Sequence, residues 1–175
     1  MDYFMMQQDA RVQNVAELAP GAPKLKSLTR EQVRDIPITE ILYVREGQQN
    51  EYPDFLEGYM LVSERLKRIL GKYQKDTLFK TMILIEKERN RQEVYYLMSV
   101  PEVDCLSVET VYDKRGDVIE AVLDASRVGH ARIFHVSGCG KRVFLRLDVA
   151  ESILRRDSYG VWFERLKEET GGQCR

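Results

Sequence analysis

The sequence is short of the residues that carry chemistry on their own. Its 175 residues hold two histidines, three cysteines, five prolines and one tryptophan. Zinc takes three or four ligands. His130, His135 and Cys139 are spaced only loosely like such a set, and no second close Cys or His pair exists, so neither a metal nor a cofactor is expected. As a cysteine–histidine nucleophile the same residues lack an orienting third group. Ser137-Gly138-Cys139-Gly140-Lys141 lacks the spacing of a phosphate-binding loop and leads into a strand pattern, so the helix N-terminus that would hold an anion is missing. Cys105, Cys139 and Cys174 are odd in number and far apart, which is not the pattern of a disulfide framework. No constellation here spells out a reaction, and the chain is not expected to be an enzyme.

Charge of one sign is also missing, since 27 basic residues face 28 acidic ones for a net charge of −1. That removes a global attraction to nucleic acid or to anionic membrane, so neither is expected as a partner. No apolar run approaches the roughly 18 residues of a membrane span, and Met1-Asp2-Tyr3-Phe4 lacks the basic segment of a signal peptide. The expected location is the cytoplasm. At 43% hydrophobic and 31% charged, the chain is expected to fold as one domain over residues 1–175. Within it stand an N-terminal part to residue 57, a central region from 58 to 166 and a loose polar tail from 167 to 175.

What is present is organised around Tyr59 to Gly71. Tyr59-Met60-Leu61-Val62 reads as a short strand, Ser63 as the N-cap of a helix, and Gly71 as its left-handed stop. Leu66, Ile69, Leu70 and Tyr73 recur at helical spacing and form one apolar stripe, which needs a dock because two turns of helix do not survive alone. The strand pattern from Leu78 to Glu86 is the expected dock. A second copy of the design follows in Arg142 to Leu147 and Asp148 to Leu154, then Tyr159 to Leu166. There Asp148 and Glu151 fit a capping box, with Ala150, Ile153 and Leu154 in the places of Leu66, Ile69 and Leu70.

The remaining patterns are strands and turns. Tyr3 to Met6 and Ile41 to Arg45 read as strands, and Thr29 to Gln32 as a capping box on a helix that Pro37 cuts short. Leu78 to Glu86 and Glu93 to Val100 form a hairpin, followed by strands over Val103 to Tyr112 and Val118 to Leu123. Ala131 to Val136 pairs with Arg142 to Leu147 across the turn at Ser137 to Gly140. The fold class is therefore α+β: a mostly antiparallel sheet, a few short helices and two strand-helix-strand units.

Tyr52-Pro53-Asp54-Phe55-Leu56, Leu61 to Lys67, Tyr95-Tyr96-Leu97, Val103 to Ser107, Val122-Leu123-Asp124, Ile133 to Val136 and Tyr159 to Glu164 together resemble a bacterial family. It was once described as a domain of unknown function and is now grouped with the immunity proteins of polymorphic toxin systems. The resemblance spans roughly Tyr52 to Leu166, departs from the family at Asp148, where a serine is frequent, and carries no catalytic residues. It implies an intracellular protein that binds and neutralises a cognate toxin protein. An enzyme of another type, or an assembly or regulatory protein, are the rival classes.

For a binding protein the uneven charge matters. Between Pro101 and Asp124 seven acids face two bases, a net of −5, and between Ala125 and Arg156 seven bases face two acids, a net of +5. Such an acidic stretch suits a basic partner, because complementary charge speeds encounter. The candidate partner-binding residues are Glu102, Asp104, Glu109, Asp113 and Asp117, unless these acids pair with the basic segment beside them.

Overall fold

The computed structural model describes residues 2–168. The first half contains β1 (Tyr3–Gln8), α1 (Arg30–Asp35), β2 (Thr39–Tyr43), β3 (Phe55–Leu56), β4 (Leu61–Ser63) and α2 (Glu64–Tyr73). The hairpin β5 (Leu78–Glu86) and β6 (Arg91–Ser99) follows, then β7 (Glu102–Val103), β8 (Val111–Tyr112), β9 (Val118–Glu120), β10 (Val122–Leu123) and α3 (Ala125–Val128). The chain continues through β11 (Ile133–Val136), β12 (Val143–Arg146), α4 (Leu147–Leu154), β13 (Val161–Arg165) and β14 (Lys167–Glu168).

Two five-stranded sheets form the body, in the orders β13-β1-β12-β11-β7 and β2-β5-β6-β4-β3. Within them pairing is antiparallel except at β7–β11 and β2–β5, and the small β10–β14 pair is also parallel, so the fold is α+β with mostly antiparallel sheets. The two sheets repeat one arrangement. In one, β4 leads through α2 to β5, with β6 antiparallel between those strands and β3 antiparallel beyond β4. In the other, β12 leads through α4 to β13, with β1 antiparallel between them and β11 antiparallel beyond β12. The copies differ in connection, because the inserted strand follows its unit in the first and comes from the start of the chain in the second. Helices α2 and α4 pack on each other, which joins the copies.

The apolar stripes meet there. Leu66, Ile69 and Leu70 of α2 and Val149, Ala150 and Ile153 of α4 share one buried cluster with Met6, Leu61, Leu97 and Leu145. Ser63 caps α2 as expected, its oxygen accepting from the Leu66 N–H. The structure departs from the sequence pattern in three details. Helix α2 runs through Gly71 to Tyr73, because Gly71 keeps a helical conformation in place of the positive φ of a stop. The expected dock on the hairpin strand β5 is subsidiary to the packing against α4, β4 and β6. In the second copy the N-cap is Arg146, with no side-chain cap; Asp148 sits in the first turn and binds Arg146 at 2.5 and 2.8 Å. The correspondence therefore slips by one residue: Val149 and Ile153 are buried while Leu154 is 61% exposed.

The first sheet reads as nearly continuous apolar sequence because both its faces are covered. Ile133, Val143 and Leu145 face the helices, while Phe134, Val136 and Phe144 face a second cluster with Tyr3, Cys105, Val118, Leu123, Val128 and Cys139. Phe134 stands opposite Phe144, their rings stacked at 6.2 Å, with Tyr3 edge-on to Phe134 at 5.9 Å. The second sheet keeps part of one face open, where Ile41, Tyr43 and Val94 are exposed. Lys167 and Glu168 pair with β10, and the rest of the expected tail lies outside the described residues. No helix among the described residues is long and apolar enough to cross a membrane.

Candidate partner-binding surface

The segment from Glu102 to Val128 covers the outer face of the first sheet and has no counterpart in the other copy. Its strands are shorter than the sequence suggested. The expected strand from Val103 to Tyr112 is only β7 and β8, and the strand from Val118 to Leu123 is broken at Ala121. The cause is side-chain competition for backbone partners at Ser107 and Thr110. Ser107 Oγ accepts from the Glu109 N–H at 3.1 Å, and Thr110 Oγ1 donates to the Val122 carbonyl at 3.1 Å while accepting from the Val122 N–H at 3.3 Å. Backbone bonds from Ser107 to Val122 and from Asp124 to Cys105 complete this root.

Beyond the root, β8 and β9 form a hairpin paired with neither large sheet. Its tip is built by Asp113, whose Oδ1 accepts from the Arg115 N–H at 2.7 Å and the Asp117 N–H at 2.9 Å. Gly116 completes the turn with φ +87°, a value that favours glycine. Val118 turns inward to the second cluster. The others turn out: Val108 is 95% exposed, Ile119 64%, and Val111 and Tyr112 nearly half. A register irregularity between Val111 and Tyr112 puts both adjacent side chains toward solvent, where regular alternation would bury one.

The structure divides the five candidate acids. Glu102 accepts from Ser137 Oγ at 3.0 Å on β7, and Asp104 is ion-paired with Arg127 at 2.8 Å, so the basic segment does claim one of them. Asp113 shapes the turn. Glu109 and Asp117 are exposed, and among the described residues neither side chain has an ion-pair partner. Of the other acids in the stretch, Glu120 pairs with Lys167, and Asp124 caps α3, where the Ser126 hydroxyl and N–H hold its carboxyl below the usual range. Sequence reading missed Val108, Val111, Tyr112 and Ile119, because apolar residues in a strand pattern are read as core. The one available signal was Thr110 breaking the alternation.

The weaker candidates resolve into structure. His130 is exposed, whereas His135 is buried and its Nδ1–H donates to the Arg142 carbonyl at 2.8 Å. Burial holds the imidazole of His135 toward its neutral form and raises both buried thiols, Cys105 to about 11. Among the described residues no group of three or more His, Cys, Asp and Glu side chains is placed to hold a metal. The basic face of α2 is spent internally, since Arg65 donates to the Asp157 carbonyl and Lys67 and Arg68 pair with Glu64. Asp54, which reads in sequence as an acid near a turn, is a buried junction. Its carboxylate accepts from Ser63 Oγ at 2.5 Å and from the Tyr159 N–H at 2.7 Å, tying the start of α2 to the turn after α4. A cleft of about 600 Å³ between Gln8, Asn14, Glu17, Gln48 and Tyr59 contains one carboxylate, Glu17, which Arg45 engages at 3.0 Å.

Among curated proteins no sequence matches this chain. The model of the Immunity protein family (Imm11) matches residues 4–168, from β1 to β14. That match extends beyond the Tyr52 to Leu166 resemblance to take in residues 4–51, with most of β1, and it holds both copies and the segment between them. The chain belongs to the Imm11 immunity protein family.

Proposed function

We propose that this protein is a bacterial immunity protein that acts in the cytoplasm by binding a cognate toxin protein of a polymorphic toxin system and blocking it, without a reaction of its own. The observation that carries this reading is the family match over residues 4–168. The near-neutral chain, at −1, gives no general attraction to nucleic acid, which agrees with a protein as the partner. The proposed contact surface is the acidic segment containing Glu102, Asp104, Glu109, Asp113 and Asp117.

The test is co-expression with the product of the open reading frame beside this chain's gene. That product alone should stop growth, co-expression should restore it, and the two purified proteins should elute as a stoichiometric complex. Growth arrest that persists with the folded chain present, or two proteins that elute separately, would contradict the proposal. A chain that instead forms a large self-interface would be an assembly protein.

A further inference from the structure

We infer that the β8–β9 hairpin is the recognition element, and that it docks on a basic protein surface with an apolar depression at its centre. This rests on the immunity reading above. Four of the exposed large apolar side chains, Val108, Val111, Tyr112 and Ile119, fall within this one short stretch. A lone exposed apolar residue is ordinary; a group on one projecting element is the mark of an interaction site.

Folding does not account for these side chains. The root is held by Ser107, Thr110 and Val122, the tip by Asp113 and Gly116, and the inward packing by Val118, so the hairpin is formed before any partner arrives. A preformed element loses less entropy on binding.

The surrounding charge states the partner's chemistry. The Asp104–Arg127 pair takes one acid from the stretch and the Glu120–Lys167 pair another. Five acids then remain against Lys114 and Arg115, a net of −3. The exposed apolar group is flanked by Glu109 and Asp117, which have no ion-pair partner among the described residues, and this fits a basic rim around an apolar hollow, with the charges setting the encounter rate and the apolar groups the lifetime.

The experiment uses the full chain and the purified product of the neighbouring open reading frame. The charge variant is Glu109→Lys with Asp117→Lys, because reversing Asp113 would also break the turn. It should slow association about tenfold and flatten its dependence on salt, as removal of long-range attraction does. Tyr112→Ala with Ile119→Ala should speed dissociation about a hundredfold and leave association nearly unchanged. Trp162→Ala, an exposed aromatic at the start of β13 whose ring lies against Arg11, should bind as the parent does. Melting curves matching the parent's show that each variant is folded. Hairpin variants that bind like the parent, or a Trp162→Ala variant that alone loses binding, overturn this inference and leave the immunity reading standing. A parent chain that neither binds nor protects overturns both.

Discussion

The two copies of the strand-helix-strand unit share strand order and strand direction, yet they are finished differently. The copy built on β4, α2 and β5 leaves part of its sheet open, with Ile41 and Val94 in solvent. The copy built on β12, α4 and β13 is covered on that side by the segment from Glu102 to Val128, and Phe134 and Phe144 are wholly buried as a result. Duplication explains the scaffold, since each copy needs the other's helix to bury its own stripe. It does not explain the covering segment, which occurs once. A feature that a fold can omit in one of two equivalent places is the natural place to look for function, and that segment carries the exposed hairpin.

The largest difference between the copies is expected at the covered sheet. Phe144→Ala should cost about 3–5 kcal/mol, as loss of a buried phenylalanine does, whereas Val94→Ala on the open face should stay within about 0.5 kcal/mol. Denaturant melts of the two variants measure the contrast, and equal losses would mean that the faces are not differently covered.

The junction of the copies comes next. Gly160 has φ +69°, and a methyl group there would lie 2.4 Å from the Pro53 Cβ. Gly160→Ala should therefore cost at least the roughly 1–3 kcal/mol of backbone strain alone, read as a lowered denaturation midpoint. At the cap, Ser63→Ala removes the bond to the Leu66 N–H and also the hydroxyl donated to the buried Asp54 carboxylate, so it should cost at least the roughly 1 kcal/mol of the cap alone.

The smallest effect is a pH dependence confined to the covered sheet. Burial depresses the His135 pKa in the fold, so the unfolded chain binds the extra proton. Its contribution is present above the ordinary histidine value of about 6.5 and is lost as pH falls from there through the folded value. Melting temperature between pH 7.5 and 5.5 should decline in the parent and decline less in His135→Gln.

Much of this scaffold is legible in the sequence. The Thr29–Gln32 capping box, the Ser63 cap, the stripe on α2 and the hairpin from Leu78 to Ser99 rest on local chemistry, and the fold keeps each of them. The second copy is legible in kind and wrong by one residue, because Asp148 has the side chain of a cap while the strand register places Arg146 at that position. The candidate site is half legible. Acid counts locate the segment, but ion pairing with Arg127 and Lys167 is long-range, and the outward turn of Val111 and Tyr112 depends on a pairing irregularity that no local pattern signals.

The outward side chains of the covering segment's hairpin are proposed to serve binding, while its Val118 serves the fold. Backbone hydrogen exchange of the full chain, alone and in complex with the product of the neighbouring open reading frame, tests that binding role most directly. Slowing on binding should concentrate in the amides from Val108 to Ile119, with the open sheet face and the strand around Trp162 unchanged. Slowing confined to β2 or to the strand around Trp162, with the hairpin unaltered, would contradict it.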